Sequence, residues 1–515
     1  MTAPNLRRAA AGAAGAAGYA VDYSCRFNDD DTAHLARTVS ASPTDTDVLM
    51  LNCWAKLGAV AATEKDLLQT YDDANNRMGI GFNTADNYFV VQEKVGGLTK
   101  CDYTWPTILH RDPHAWYNVH VELNSSAGAG ANVRVWINNV ELAGETIGTE
   151  KTASEAWLVN TAGSLNFIGR GSNGNNNYMD GYIAQHIVVD GTVDGGPSNF
   201  IEVDDNGVVR PIDPVVADYG DDGHYLDFAI VESSGDGAGT DVSGKTNHWA
   251  ASGIADNDRV TDTPTNNHCT WSPLWTGEAS AATISDGNLK AAMAHNSAVF
   301  GSMIFDIADT DGWYFEVHYD SATSYGGVGV VALAALSGLA DSSFASITSG
   351  ATSNPGNGGY AFLPAGGQKR HGAGSDATYG GAPSVGSYIQ CVMKAGSIYF
   401  GVDDSWANGS GANNQVWGSA TAAFTSLTGL FSPAIDDDAG SGTKGTFTLR
   451  CSESDFEGTM PSGTKALNTT NLAVPSIADP SAHFQVNLRE GDGAGATADV
   501  NGTTSSTTTL VVDGN

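Results

Sequence analysis

Short runs in which apolar and polar residues alternate recur along two long parts of the chain. In the run AWYNVHVEL (115–123), Val119, Val121 and Leu123 alternate with polar residues. Successive side chains of a β-strand point to opposite faces, so this alternation is typical of a strand with one face in a core. No apolar repeat with helical spacing extends beyond about three turns. The pattern predicts an all-β protein.

The runs fall into two groups, and each group predicts an antiparallel β-sandwich. Those between residues 20 and 195 are 47–57, 78–83, 87–93, 115–123, 132–142, 164–170 and 181–191. Those between residues 286 and 455 are 298–307, 312–320, 326–333, 387–404 and 445–451. Asn138-Asn139 and Ala395-Gly396 each separate two runs and predict tight hairpin turns.

The remaining segments differ in composition from the two predicted sandwiches. Residues 196–285 are rich in Gly, Asp, Asn and Pro and predict a long connector that drapes between the domains. The run GDGAG occurs at 235–239 and again at 491–495, followed each time by D-V-x-G, so residues 456–515 are expected to begin a second copy of the connector. Residues 1–19 are rich in Ala and Gly and predict an anchoring arm.

Charge and apolar content exclude two classes of partner. The chain of 515 residues carries 58 acidic and 24 basic side chains, a net charge of −34. Such a field repels phosphate backbones, so no nucleic-acid partner is expected. No run of 18 apolar residues is present, so no membrane span is predicted. None of the six cysteines forms C-x-x-C, and Cys53 and Cys391 lie in strand-like runs that predict buried thiols.

The stretch GTDVSGKT (239–246) matches the phosphate-binding loop pattern G-x-x-x-x-G-K-[ST]. A true loop of this kind follows a buried strand and opens a helix whose N-terminus meets the phosphate. Here seven polar and small residues separate the match from the preceding apolar run, and no helical periodicity follows it. We therefore expect no nucleotide site despite Gly239, Lys245 and Thr246.

Two other kinds of site remain open at the level of sequence. Asp29, Asp31, Asp204 and Asp221 lie in acidic turns that could supply oxygen ligands to calcium, the one cofactor that the sequence suggests. Turn-forming Asp residues explain the same clusters without metal. Trp406 and Trp417 flank a Gly/Asn-rich loop and are candidates to stack on a sugar ring. The alternative is that these two rings anchor the loop by packing.

Catalytic patterns are weak. Sandwich-fold glycosidases carry paired acids as E-x-[DE]-x-x-E, whereas Glu316 and Asp320 in WYFEVHYD are spaced differently. His110 and His114 lie in a turn that contains proline and not on one face of a helix, which argues against a zinc pair. We therefore expect a protein that is not an enzyme.

Several stretches resemble known families. MLNCWAKLG, WYNVHVEL, VRVWINNVEL and MDGYIAQHIVVDG resemble the concanavalin A-like, laminin-G-type domain, although Asn139 stands where that family usually has Gly. GWYFEV, GVGV and IYFGVDDSW resemble a SPRY-type sandwich. The run from YGDDGHYLDFA to DTPTNN, and later MPSGTKALNTTNLAVPSI, resemble segments of large virion proteins of tailed bacteriophages. The resemblance covers about residues 20 to 485, and the connector is its most specific part.

This resemblance implies a structural protein on the external surface of a tailed phage particle. The leading interpretation is a tail or head fibre that attaches to host-surface glycans through its lectin-like domains. Its expected partners are other virion proteins and further copies of itself, as in a trimer, because weak sites gain from multivalency. The alternatives are a capsid decoration or cement protein that binds no glycan, and a secreted lectin or glycosidase.

Overall fold

The computed structural model describes most of the chain. The described residues are 19–39, 42–58, 64–83, 88–106, 112–171, 177–204, 207–274, 282–295, 297–336, 358–371, 375–437 and 442–472. Within these ranges no helix has the length and apolar character that a membrane crossing requires. Most of the predicted arm and the second GDGAG run lie outside the described residues.

Strands dominate the described ranges and are numbered in chain order. The first part of the chain contains β1 (Ser24–Phe27), β2 (His34–Thr38), β3 (Val48–Leu57), β4 (Glu64–Asp73), β5 (Asn76–Asn83), β6 (Tyr88–Val95), β7 (Leu98–Trp105), β8 (Tyr117–Asn124), β9 (Val133–Ile137), β10 (Val140–Glu141), β11 (Thr146–Thr149), β12 (Leu165–Ile168), β13 (Gly181–Asp190), β14 (Ile201–Val203), β15 (Val209–Pro211), β16 (His224–Leu226), β17 (Ala250–Ser252) and β18 (Arg259–Val260).

The second part continues the numbering. It contains β19 (Thr283–Ser285), β20 (Lys290–Ala292), β21 (Ser297–Phe300), β22 (Phe305–Asp306), β23 (Trp313–Ser321), β24 (Gly326–Ala332), β25 (Gly359–Leu363), β26 (Gln368–His371), β27 (Ala377–Thr378), β28 (Tyr388–Lys394), β29 (Ser397–Val402), β30 (Ser405–Ala407), β31 (Asn413–Gln415), β32 (Leu430–Asp437), β33 (Thr446–Arg450) and β34 (Lys465–Ala466). One short helix is α1 (Leu333–Leu336), and 3-10 turns span Leu158–Asn160, Pro197–Asn199, Gly237–Gly239, Asp256–Asp258, Trp417–Ser419 and Thr469–Asn471.

These strands form two sandwiches, each made of two sheets, and a separate two-stranded sheet of β14 and β15. In the first, sheet A has the order β10-β9-β8-β3-β13-β1-β18 with β16 beside β13, and sheet B has the order β11-β7-β6-β5-β4-β12-β2-β17. In the second, sheet C has the order β19-β20-β33-β23-β28-β29-β30-β31 with β34 beside β23, and sheet D has the order β21-β32-β24-β25-β26-β27 with β22 beside β32. The strand pairs of the described residues are antiparallel, apart from the β23–β34 pair. The predicted fold class, all-β with two antiparallel sandwiches, is confirmed.

Both predicted hairpin turns are present. Asn138 and Asn139 join β9 to β10 with φ angles of 49° and 65°, the left-handed conformation that a two-residue hairpin turn needs at both central positions. Ala395 and Gly396 join β28 to β29 with φ angles of 48° and 74°. Local residue choice therefore fixes the register of both hairpins.

Each sandwich has its own core between its sheets. Val119 and Val121 of β8 face Phe82 and Phe89 of sheet B in the first core, while Phe315 and Val317 of β23 belong to the second. All six cysteines are buried free thiols, as expected for Cys53 and Cys391.

Sheet A is buried on both of its faces. β13 is buried at all ten positions, and the outward-facing polar residues of β8 are buried as well. An outer apolar cluster that includes Trp54, Trp116 and Tyr182 continues onto Phe200 of the connector. The outer face of sheet A is therefore a second interface. Alternation of apolar and polar residues alone would predict that this face is exposed to solvent.

The connector supplies much of this cover. β16 pairs with β13, β17 pairs with β2 and β18 pairs with β1, so residues 196–285 extend both sheets of the first sandwich. This differs from the expectation that the segment drapes between domains. Its strands β16, β17 and β18 are two or three residues long, which is too short for an alternating pattern to be visible. They are stabilised by hydrogen bonds to backbone groups of the neighbouring strands.

One carboxylate organises the loop between β16 and β17. Asp241 Oδ1 accepts hydrogen bonds from the backbone nitrogens of Tyr225 and Ser243, both at 2.9 Å. Its Oδ2 accepts from Ser243 Oγ at 2.9 Å and from the Asn247 nitrogen at 2.8 Å. Asn247 in turn accepts a hydrogen bond from Arg37 at 2.7 Å, which joins the loop to β2. The acid closes the loop and fixes it to the sandwich.

The two sandwiches meet where the β19–β20 hairpin touches β13. Asp180 Oδ1 accepts a hydrogen bond from the Gly287 nitrogen at 2.5 Å, and Tyr182 donates to the Gly287 oxygen at 2.9 Å. Gly287 has a φ of +63°, and an added Cβ would lie 2.5 Å from the Tyr182 hydroxyl, so only glycine fits here. Arg26 also bridges the contact, at 2.9 Å from Asp258 and 3.3 Å from Asp286.

Replacing the loop carboxylate should destabilise the first sandwich. Asp241→Ala leaves backbone donors without acceptors, and we expect the free energy of unfolding to fall by about 3 kcal/mol. Urea unfolding followed by tryptophan fluorescence measures this change. Asp218→Ala is the matched control, because it removes an exposed ion pair with Lys245 and should change stability little. Equal effects of the two variants would contradict the role given to Asp241.

The contact at Asp180 should depend on pH. Burial raises the pKa of Asp180 to about 7, despite the hydrogen bond from Gly287 and the charge of Lys65. An acid with a raised pKa in the folded state contributes stability that is complete below its unfolded pKa and is lost as pH rises through the folded value. Asp180→Asn keeps the acceptor without the charge. It should match the wild type near pH 4 and exceed it by a few kcal/mol at pH 8. A difference that stays constant in unfolding experiments across this range would contradict the assignment.

Candidate ligand cleft between the sandwiches

The predicted sugar platform at Trp406 is wrong. Trp406 lies on β30, is 3% exposed and packs against Tyr314 and Val392 on the outer face of sheet C. Phe456 and Met460, far along the chain, complete this cluster. A ring enclosed on both faces cannot stack on a sugar. The residues around Trp406 in the sequence are polar and therefore suggested an open loop. The side chains that cover the ring come from a distant segment of the chain.

Trp417 is half-buried at the rim of the same cluster. Its ring centroid lies 4.8 Å from that of Trp406 and 5.2 Å from that of Tyr399. Its Nε1 donates a hydrogen bond to the Ser462 oxygen at 3.2 Å. These contacts fit the packing alternative, in which Trp417 anchors the segment that closes this face. Sugar stacking by its exposed part stays a prediction.

The acidic turns proposed for calcium do not converge. Asp204 pairs with Arg210 at 2.8 Å and closes the β14–β15 hairpin. Asp31 accepts a hydrogen bond from Asn28, and the Asp221 nitrogen donates to Thr44, while Asp29 uses its backbone oxygen in a turn. Across the described ranges no group of three or more His, Cys, Asp or Glu side chains is placed to hold a metal ion. Turn formation accounts for these acids, and calcium binding stays a prediction.

The phosphate-loop match adopts a different structure from a nucleotide site. Gly239 ends a 3-10 turn, and an added Cβ there would lie 1.8 Å from the Trp249 oxygen. Lys245 pairs with Asp218 at 2.7 Å, and the Thr246 hydroxyl donates to a backbone oxygen. The following element is the strand β17, so no helix N-terminus faces the loop. The loop donors bond to Asp241 and Ser243 of the loop itself.

The acids considered for glycoside hydrolysis serve the fold. Glu316 is fully buried and accepts hydrogen bonds from the Tyr314 hydroxyl at 2.5 Å and from the nitrogens of Glu457 and Gly458 at 2.9 and 3.0 Å. Burial raises the pKa of Glu316. Asp320 accepts from Thr448 and contacts His318. Glu316 thus fastens the segment after β33 to sheet C.

His114 is a half-buried structural residue. Its ring nitrogens lie 3.1 Å from the hydroxyl oxygens of Thr270 and Ser272, and burial lowers its pKa to about 3. His110 lies outside the described residues. Both nitrogens of His114 are therefore engaged with the connector.

An open cleft of about 500 Å³ lies at the junction of the sandwiches. Three distant segments form it: the turn after β18, the residues after β33, and the last 3-10 turn. Every side chain that lines it carries a hydroxyl, an amide or a carboxylate: Thr261, Asn266, Glu453, Ser454, Asn468, Thr470 and Asn471. Such a lining can both donate and accept hydrogen bonds, but it contains no apolar side chain against which a ligand could pack.

Hydrogen bonds between the segments fix the walls of the cleft. The Thr470 hydroxyl lies 3.1 Å from Asn266 Oδ1 and 2.8 Å from Asn468 Oδ1. Across the cleft, the Thr261 hydroxyl lies 3.3 Å from that of Ser454. The Asn266–Thr470 and Thr261–Ser454 contacts each join residues about 200 positions apart in the chain. The cleft therefore exists only when both sandwiches and the C-terminal segment are docked.

Three polar groups of the cleft have no partner among the described residues. They are Asn468 Nδ2, Asn471 Oδ1 and the Glu453 carboxylate; Asn468 is buried, Asn471 is half-buried and Glu453 is exposed to solvent. They offer a donor, a neutral acceptor and an anionic acceptor. Next to them, burial raises the pKa of Asp455, whose carboxylate accepts a hydrogen bond from Ser454.

Sequence reasoning missed this site. Asn266 lies in DTPTNN and Asn468 in LNTTN, two stretches that were notable for resemblance and not for chemistry. A cluster of short polar residues beside tight turns was the available signal. The same composition marks ordinary turns, so it could not identify a cleft.

No protein-family model matches the chain, and no curated protein matches it. Among solved structures, domains LG4-5 of the mouse laminin alpha1 chain are 10% identical, with 85% of this chain and 89% of that chain covered and a TM-score of 0.28. A human SPRY domain is 16% identical, with 31% and 90% covered and a TM-score of 0.21. Tailspike protein 2 of an Escherichia coli O157:H7 bacteriophage is 11% identical, with 33% and 22% covered and a TM-score of 0.23. Similarity at these values assigns neither a fold nor a function to this chain. Its fold and its function rest on its own sheets and residues.

Proposed function

We propose that this protein is a non-catalytic glycan-binding protein and that the cleft between its sandwiches is the binding site. The observation that carries the proposal is the convergence of the Asn468 amide nitrogen, the Asn471 side-chain oxygen and the Glu453 carboxylate on one polar cleft. A sugar hydroxyl both donates and accepts hydrogen bonds, and neighbouring hydroxyls therefore match a set of amide and carboxylate groups.

The charge of the cleft selects a class of glycan. Glu453 lines it, and no lysine or arginine is among the lining residues. A carboxylate accepts hydroxyl hydrogens strongly but repels phosphate and carboxylate groups on a ligand. We therefore assign a neutral glycan with adjacent free hydroxyls as the ligand.

The biological setting of this proposal is the external surface of a tailed phage particle. Support comes from the connector stretches that resemble virion proteins, YGDDGHYLDFA to DTPTNN. A single open polar cleft binds weakly, and copies of the chain arranged as a homo-oligomer beside other virion proteins would gain attachment strength through multivalency. A cement protein of the capsid would share the setting and bind no glycan.

Substitutions in the cleft should weaken glycan binding. The wild type is first tested on an array of neutral and acidic glycans, and the strongest ligand is then titrated by calorimetry. Glu453→Gln and Asn471→Ala should each raise Kd about tenfold, the cost of one or two lost hydrogen bonds. Glu202→Gln is the matched control, because Glu202 is exposed on β14, outside the cleft.

The outcomes separate the parts of the proposal. No binding to any neutral glycan would contradict the function and favour the cement alternative. Binding that survives both cleft substitutions would retain the function and overturn the site. Absence of the protein from purified particles, checked with antibody labelling, would overturn the virion setting alone.

A further inference from the structure

Lys56 is a fully buried lysine that lies against a side-chain amide and a carboxylate. It is on β3 with 0% exposure. Its Nζ lies 2.7 Å from Asp262 Oδ2 and 2.8 Å from Asn267 Oδ1, with a third, longer contact of 3.5 Å to the His268 oxygen. The amine therefore lies against the oxygen of an amide whose carbon carries a leaving nitrogen, and against a carboxylate that can carry a proton.

The surroundings of this group hold the amine against the acid and away from solvent. Asp262 is 3% exposed, and its Oδ1 accepts a hydrogen bond from Trp116 Nε1 at 3.0 Å. The ring centroid of Tyr182 lies 5.4 Å from Lys56 Nζ. The amine and the acid are thus in direct contact at a place enclosed by protein, and an amine that gives its proton to the acid becomes a nucleophile.

The amide of Asn267 is held in place from both sides. Its Nδ2 donates to the His114 oxygen at 2.8 Å, and its backbone nitrogen donates to the Thr469 hydroxyl at 2.8 Å. Positioning of this kind converts a reaction between two groups into a step within one molecule, the largest advantage that a fold provides to such chemistry. Asn267 is only half-buried, which gives released ammonia a path to solvent.

We propose that Lys56 and Asn267 form an intramolecular isopeptide bond, with Asp262 as the proton carrier. Asp262 Oδ2 takes a proton from Lys56 Nζ, and the neutral amine attacks Asn267 Cγ to form a C–N bond. Asp262 delivers its proton to Nδ2 and takes the second proton from Nζ. The Cγ–Nδ2 bond then breaks and ammonia leaves. Ammonia accepts the remaining proton from Asp262, so the products are the amide link and one ammonium ion.

A second buried lysine, Lys151, lacks this geometry. Its Nζ pairs with Glu93 and donates to the Ala156 backbone oxygen at 2.5 Å. Neither partner of Lys151 is a side-chain amide. The link between Lys56 and Asn267 would tie β3 of the first sandwich to the turn that borders the cleft. It would close a long loop in the unfolded chain and thereby stabilise the junction.

Mass spectrometry of the full-length wild type tests this directly. The intact denatured protein should be lighter than its sequence by one ammonia. Trypsin should fail to cleave after Lys56, and digestion should yield a branched peptide that joins the segments containing Lys56 and Asn267. We expect no ammonia loss in three variants, each of which should have the mass that its own sequence predicts: Lys56→Met, Asn267→Ala and Asp262→Ala. Asn266→Ala is the control and should keep the ammonia loss, because Asn266 Nδ2 contacts His268 and not a lysine.

Two results would overturn the proposal. One is a wild-type mass equal to that of the sequence. The other is an ammonia loss confined to a single unbranched peptide, since an asparagine that cyclises onto its own backbone loses the same mass. The wild-type measurement decides the matter even if a variant fails to fold.

Discussion

The junction of this molecule depends on one buried charge. Lys56 projects from the centre of sheet A to a place where water cannot reach it, and an unpaired ammonium there would cost several kcal/mol. Asp262 and Asn267 remove that cost only if the segment that follows β18 folds back over β3. The same segment supplies Thr261 and Asn266 to the cleft, so the ion pair and the candidate site share one piece of backbone.

Polar residues on the outer face of sheet A extend the same constraint. Glu122 is buried on β8 and accepts hydrogen bonds from the backbone nitrogens of residues 194–196, including Gly195 at 2.5 Å. His120 lies against Phe200, with ring centroids 5.7 Å apart. These side chains would alternate into solvent in a simple sandwich. Here they recruit the connector, whose backbone donors they satisfy, and the connector thereby becomes a structural layer of the first sandwich.

The candidate site follows from packing between segments and not from any one motif. Trp406 had the sequence surroundings of an exposed sugar platform, yet Phe456 and Met460 cover it. Asn468 had no distinguishing surroundings in the sequence, yet its side chain lines the cleft. Its oxygen accepts hydrogen bonds from Thr470 and Asn471, and its nitrogen is left as a donor. Burial of an aromatic ring and placement of an amide at a cleft are both decided by which distant residues arrive beside them.

The sequence by itself determined the local architecture. Apolar runs predicted strands such as β8 and β23, and the residue pairs Asn138-Asn139 and Ala395-Gly396 predicted two hairpins, because both signals act between near neighbours. The runs did not include β4, β7 or β32. Only the tertiary structure decided how the connector runs and where the polar groups meet. Lys56 and Asp262 are separated by 206 positions, and Asn266 and Thr470 by 204. Periodicity carries no information over such distances, because those pairings are set by shape and by the need to satisfy buried polar groups after the sheets have formed.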